Sequence, residues 1–146
     1  MSKATILHTD DAAKVMYGAG DSYRFLISNA ESNGRIFAME AVVPPGGGPP
    51  LHIQTREDEA FYILEGDITF WADGNRVVAR TGTFIHMPPD VAHRFRNESD
   101  SDARMLIWFS PAGIEAMFDE MAEDTENYTA IGPKHGVTFL EEDDQP

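Results

Sequence analysis

The chain has 146 residues, 42% of them hydrophobic, and a formal net charge of −14. This length suits one domain with a substantial core over residues 1–146, and the negative charge argues against a nucleic acid or an anionic membrane as partner. The absence of cysteine excludes disulfides and thiolate metal sites. With no secretory signal or apolar span visible, we expect a cytoplasmic protein.

Short runs of aromatic and β-branched residues, separated by turn residues, predict β-strands along most of the chain. The Asp73-Gly74 pair between two of these runs suits the tight turn of a hairpin. No helical pattern interrupts the runs, so they indicate an all-β, antiparallel sandwich or barrel over about residues 20–110. The predicted strands are 23–28, 35–43, 51–54, 59–65, 67–72, 75–80, 83–87, 93–97 and 103–110.

An amphipathic helix is predicted after the last of these strands, over about residues 111–123. Ser110 can serve as its N-cap and Pro111 as its first residue. Its apolar stripe, which would pack on the barrel, on a partner subunit or over the barrel mouth, comprises Ile114, Met117, Phe118 and Met121. A further edge strand is predicted at 137–140 and an acidic tail at 141–146.

Polar side chains fall on the inward faces of the predicted strands. Because strand residues alternate faces, His52 and Gln54 point the same way, and Glu59 and His93 can converge with them inside a barrel. A divalent cation would satisfy these otherwise costly groups. Imidazole, carboxylate and amide donors suit iron, manganese, nickel, cobalt or zinc, and His52, Glu59 and His93 alone form the ligand set of non-haem iron centres.

The remaining aromatic residues and histidines have simpler interpretations. We predict a core, parts of which line the barrel cavity, at Phe61, Ile63, Phe84, Phe95, Leu106 and Trp108. Outside the site we place His8 and His135 on the surface and His86 on an outer or rim position.

The spacing of the polar residues resembles the two motifs of single-domain cupins. The first motif has the order glycine, five residues, His-x-His, three or four residues, Glu, six residues and glycine. It maps onto His52, Gln54, Glu59 and Gly66, with Gln54 in place of the second histidine. The spacing to Gly66 selects Glu59 from its neighbours, because three adjacent acids usually form a solvated turn in which only one faces inward. The two neighbouring acids that are therefore not predicted as ligands are Glu57 and Asp58.

The second cupin motif has the order glycine, five residues, Pro-x-Gly, two residues, His, three residues and Asn. It maps onto Gly82, Pro88, Asp90, His93 and Asn97, with Asp90 in place of glycine. The wording "GTFIHMPPDVAHRFRN", together with "REDEAFYILEG" and "SPAGIEAMFDEM", is similar to that of quercetin 2,3-dioxygenase-like cupins.

This resemblance implies a cupin barrel of the jelly-roll type, a homodimer and a mononuclear divalent transition metal. It also implies dioxygen chemistry on a small aromatic or enolic substrate, in which Glu59 is both a ligand and the proton acceptor. The alternatives are a non-oxidative metal-dependent isomerase or lyase, and a non-catalytic cupin that binds or senses a small molecule.

Gln54 departs from the motif, and three roles are open to it. Its amide oxygen can be a fourth metal ligand, or its amide can orient a bound water or substrate. In the third reading, the site has lost a ligand and holds no metal.

Overall fold

The computed structural model describes residues 3–141, which form eleven strands in two antiparallel sheets, with three short helices. The strands are β1 (Val15–Gly18), β2 (Asp21–Ile27), β3 (Phe37–Val43), β4 (His52–Gln54), β5 (Asp58–Glu65), β6 (Ile68–Ala72), β7 (Asn75–Ala79), β8 (Phe84–Met87), β9 (His93–Arg96), β10 (Ala103–Ser110) and β11 (Val137–Phe139). The helices are α1 (Asn29–Ser32), α2 (Glu115–Glu123) and α3 (Tyr128–Ile131), and single 3₁₀ turns occupy Thr125–Asn127 and Gly132–His135.

One sheet has the strand order β1-β2-β3-β10-β5-β8, and the other has the order β11-β4-β9-β6-β7. The inward side chains of both sheets form a single hydrophobic cluster, closed on one side by residues of α2. This arrangement follows from strand alternation, which gives each sheet one apolar face to bury. The predicted antiparallel all-β barrel with a C-terminal helix is confirmed.

Two predicted local features are also confirmed. β6 and β7 form the expected hairpin, in which Asp73 and Gly74 have φ values of 50° and 78°. Positive φ at both central residues is what a primed hairpin turn requires. The short apolar segment near the C-terminus forms the edge strand β11, which pairs with β4. The predicted acidic tail at 141–146 lies outside the described residues, apart from residue 141.

The predicted start of the helix at 111–123 is wrong. Ser110 is the last residue of β10, where it is paired with Asp58, and α2 begins at Glu115. Between them the chain turns through Gly113, whose φ of 134° does not occur in a right-handed helix. Strand pairing therefore keeps Ser110 out of the cap position that its residue type suits.

The prediction of which residues of β10 face inward is also wrong, because the alternation is shifted by one residue. The buried side chains of this strand are Ala103, Met105, Ile107 and Phe109. Leu106 and Trp108 point to the outer face, where the Trp108 ring lies 5.8 Å from that of Phe84, which is 58% exposed. The prediction of a core position is also wrong for Phe84, whereas Phe61, Ile63 and Phe95 are buried as predicted.

No helix within residues 3–141 is long and apolar enough to cross a membrane.

Candidate metal centre and its cavity

The four residues predicted to form the site come together in the barrel interior. β4 pairs with β9 so that His52 lies directly opposite His93, with ring centroids 4.4 Å apart. Gln54 shares the inward face of β4, and Glu59 projects from β5 in the other sheet. All four side chains are buried. One nitrogen each of His52 and His93 and one oxygen of Glu59 lie within 4.8 Å of one another.

A backbone carbonyl orients each histidine ring. Nδ1 of His52 lies 2.8 Å from the oxygen of Pro50, and Nδ1 of His93 lies 2.8 Å from the oxygen of Val91. A carbonyl oxygen only accepts hydrogen bonds, so Nδ1 carries the proton in both rings. A neutral ring in this tautomer presents its Nε2 lone pair to the centre of the site, as metal-binding histidines do.

Both inward-facing nitrogens meet oxygen atoms. Nε2 of His52 lies 3.1 Å from Oε1 of Gln54, and Nε2 of His93 lies 3.1 Å from Oε1 of Glu59. Burial, together with the charge of His93, lowers the pKa of His52 to about 3, so its Nε2 carries no proton at neutral pH. The lone pair of His52 Nε2 then faces a lone pair of Gln54 Oε1. This repulsion is relieved if the amide turns its NH₂ group to the ring or if a cation lies between the two atoms.

The pair formed by His93 and Glu59 behaves differently. Burial lowers the pKa of His93, but the hydrogen bond to Glu59 and its negative charge outweigh burial and raise this pKa. A positive charge is therefore favoured between His93 and Glu59, at the position where a metal ion would bind. Two imidazole nitrogens, a carboxylate oxygen and an amide oxygen converge here, and this donor set fits a divalent first-row transition ion.

The acidic run before β5 contains a second buried carboxylate. Asp58 is exposed and bonds to His86 at 2.8 Å, which places His86 on the outer face as predicted. Glu57, however, is only 4% exposed, so the prediction of a solvated position is wrong for this residue. Burial raises its pKa to about 7, and its Oε1 has no hydrogen-bond partner among the described groups. Glu57 does not line the cavity described next.

The candidate metal centre opens into a cavity of about 380 Å³ with mostly apolar walls. The helical stripe predicted from the sequence forms one wall, since Ile114, Met117, Phe118 and Met121 all line the cavity. Lining residues that are also exposed mark its mouth: Tyr17, Gly18, Ala19, Ala122, Thr125 and Tyr128. Lys14, just before β1, and Asp119 on α2 form an exposed ion pair that joins these two segments.

Two features of the cavity were missed by the sequence analysis. Strand β1 was not predicted, although the turn "GAGD" after "VMY" is a signal for a hairpin. Its Met16 and Tyr17 line the cavity. Asp21 and Tyr23 form a buried polar pair on β2, and Tyr23 also lines the cavity. The run Asp21-Ser22-Tyr23-Arg24 shows no alternation of polar and apolar residues that would have indicated such a pair.

Comparison with known proteins identifies the class to which this fold and site belong. The sequence profile of the Cupin domain matches residues 39–109, which include all four candidate metal-site residues. The chain is 34% identical over 103 residues to the polyketide synthase CurC of Streptomyces cyaneus, covering 66% of this chain and 67% of that protein. The chain belongs to the cupin family.

Other matches differ in how much of each protein they cover. The chain is 24% identical over 123 residues to quercetin 2,3-dioxygenase of Bacillus subtilis; this match covers 84% of the chain but only 36% of the dioxygenase. Among solved structures, an RmlC-like cupin from Shewanella frigidimarina superposes with a TM-score of 0.66 at 20% identity, covering 80% of this chain and 99% of that one. At this identity, the likeness establishes the fold alone.

Proposed function

We propose that this protein is a metal-dependent dioxygenase that acts on a small, mostly apolar substrate bearing an enol or phenol group. The observation that carries the proposal is the position of His52, Glu59 and His93 at the wall of an apolar cavity. A volume of about 380 Å³ lies at the lower end of the range for small-molecule sites, which favours a compact substrate. The similarity to quercetin 2,3-dioxygenase supports the oxidative class.

In this proposal His52, Glu59 and His93 hold the metal, and the amide oxygen of Gln54 completes the set. A bound divalent iron, manganese, nickel or cobalt ion would supply Lewis acidity towards the substrate oxygen and redox chemistry towards dioxygen. The carbonyls of Pro50 and Val91 keep both imidazoles in the tautomer that this role requires.

Glu59 is the proton acceptor for the substrate hydroxyl. Glu59 as a whole is only 5% exposed, so little bulk water competes for the proton. His93 lies 3.1 Å from the same carboxylate and can adjust its hydrogen bond as the charge of Glu59 changes. Apolar walls from α2 and the two sheets lower the local dielectric constant. They therefore strengthen the attraction between the Glu59 carboxylate and the proton that it accepts from the substrate hydroxyl.

Oxygen uptake tests the proposal. Protein loaded in turn with iron, manganese, nickel or cobalt is mixed with a flavonol, and dioxygen consumption and flavonol loss are followed together. The expected result is equimolar consumption by the wild type and none by His93→Ala. His86→Ala is the matched control, because this histidine lies on the outer face and should leave turnover unchanged. Metal-loaded wild type that consumes no more oxygen than His93→Ala would contradict dioxygenase chemistry.

A non-oxidative reaction is the second candidate, and the 34% identity to the polyketide synthase CurC favours it. The same cavity and the same proton acceptor suit ring closure or isomerisation of an enolisable substrate, in which the metal acts only as a Lewis acid. Strict anaerobiosis separates the two candidates. Turnover of an enolisable polyketide-type substrate without oxygen supports the second candidate, whereas turnover that stops when oxygen is removed supports the first.

A further inference from the structure

The cavity contains one buried polar side chain that the candidate metal centre does not use. Among the described residues that line the cavity and are buried, Tyr23 is the only polar one besides His52, Gln54, Glu59 and His93. Its ring lies 6.3 Å from that of Phe118 on the helical wall. A hydroxyl group in such an apolar wall is costly unless it is hydrogen-bonded.

Asp21 provides the partner for this hydroxyl. The two residues lie two positions apart on β2 and so share one face, and the Tyr23 hydroxyl donates to Oδ2 of Asp21 at 2.6 Å. Asp21 is only 1% exposed. A Cβ atom built on Gly47 would lie 2.3 Å from the other carboxylate oxygen, so the loop containing Gly47 closes directly over Asp21.

This arrangement determines what Tyr23 can offer a ligand. A phenol has one proton and two lone pairs, and here the proton is directed at Asp21. The phenol oxygen is then left with lone pairs only, which accept a hydrogen bond. A ligand group that forms a hydrogen bond with the phenol oxygen of Tyr23 must therefore be the hydrogen-bond donor, as a hydroxyl group can be.

Tyr23 and Glu59 come from strands of the same sheet that are not neighbours. The sheet order places β2 and β5 three strand spacings apart, which corresponds to about 14 Å between their backbones. Both side chains nevertheless face the same interior. Burial and the charge of Asp21 raise the pKa of Tyr23 well above its ordinary value, and the charge of Glu59 contributes to this rise. A substrate held at Glu59 can thus extend towards Tyr23.

We propose that Tyr23, positioned by Asp21, is a specificity residue that accepts a hydrogen bond from a second hydroxyl group of the substrate. Tyr23 thereby discriminates between ligands that carry a hydroxyl group remote from the metal centre and ligands of the same shape that lack one. This inference rests on the proposed function, because it assigns a specificity residue of the same cavity.

Equilibrium binding of three flavonols tests the inference without requiring turnover. 3-Hydroxyflavone carries only the enol hydroxyl, whereas kaempferol and quercetin carry the same enol and further hydroxyls at the far ends of the molecule. Ligand affinity is measured by fluorescence titration for the wild type and for Tyr23→Phe, which removes only the hydroxyl. Tyr128→Phe is the control, since it removes the same group from the cavity mouth.

We expect Tyr23→Phe to weaken the binding of kaempferol or quercetin roughly three- to tenfold and to leave the binding of 3-hydroxyflavone unchanged. The double variant Tyr23→Phe/Asp21→Asn should show the same loss, and it excludes an effect of leaving Asp21 without a partner. An equal change for all three flavonols, or no change for any, overturns the inference even if oxygen uptake supports the dioxygenase. Wild type that binds 3-hydroxyflavone as tightly as quercetin also overturns it.

Discussion

Replacing Asp21 with asparagine should change how the stability of this protein depends on pH. Burial raises the pKa of Asp21 from 3.8 to about 7, although hydrogen bonds from Tyr23 and from the backbone of Gly48 lower it. Between these two values the folded protein holds a proton that the unfolded chain has released. The free energy of unfolding therefore falls as pH rises across this interval, and it reaches a constant level above about pH 7.

The size of the effect follows from the two pKa values. A rise from 3.8 to about 7 corresponds to up to about 4 kcal/mol of lost stability once Asp21 is ionised. Such a loss is a large part of the 5–15 kcal/mol that typically stabilises a domain of about this size. Asparagine keeps an oxygen that accepts the hydrogen bond from Tyr23, but it carries no charge at any pH. The stability advantage of Asp21→Asn should therefore grow from about pH 4 to about pH 7 and then level off.

Urea denaturation at several pH values measures this difference. The free energy of unfolding is obtained for the wild type and Asp21→Asn, and groups that titrate in both proteins cancel in the comparison. Asp67→Asn removes a carboxylate from an exposed position and controls for the change in net charge. Parallel stability curves for the wild type and Asp21→Asn would refute the reasoning, because they would mean that Asp21 ionises equally easily in the folded and unfolded chains.

Three further pairs of substitutions test the site and the packing. Gln54→His should raise metal affinity about tenfold or more, measured by competition with a chelator, while Gln54→Leu should lower it; unchanged affinity would mean that Gln54 does not face the ion. Phe109→Ala should cost about 3–5 kcal/mol in urea denaturation and Phe84→Ala less than about 1 kcal/mol, and the reverse order would contradict the observed face of β10. Gly48→Ala should lower stability by more than about 2 kcal/mol, because its Cβ would lie 2.0 Å from a carbonyl oxygen of β9. Gly74→Ala, with open space around it, should cost only about 1 kcal/mol; equal losses would argue against the close contact.

The residues of the candidate metal centre could be predicted because their positions depend on local geometry. His52 and Gln54 share a face through strand alternation alone, which needs no knowledge of the rest of the fold. The spacing from Glu59 to Gly66 and the position of His93 after a turn reflect strand and turn lengths that the cupin motifs record. Which face of β4 is inward follows from the same pattern.

Other features depend on contacts between distant segments and leave weaker signals. Five consecutive apolar residues in β10 give no alternation, so the sequence did not reveal that Met105, Ile107 and Phe109 are the ones that face inward. Glu57 is buried even though a run of three acids is usually solvated. The burial of Asp21 requires the loop containing Gly47 to close over it, and neither residue type indicates such a contact.

Different segments of the chain supply the metal-site residues and much of the cavity wall. All four candidate metal-site residues lie within the segment that matches the cupin profile, residues 39–109. Most of the mouth, the helical wall and Tyr23 come from the flanking segments on either side. Exchanging these flanks between related barrels would alter which molecules enter and fit while leaving the metal donors in place. New substrate preferences can therefore evolve here at the two ends of the sequence without the loss of an established reactive centre.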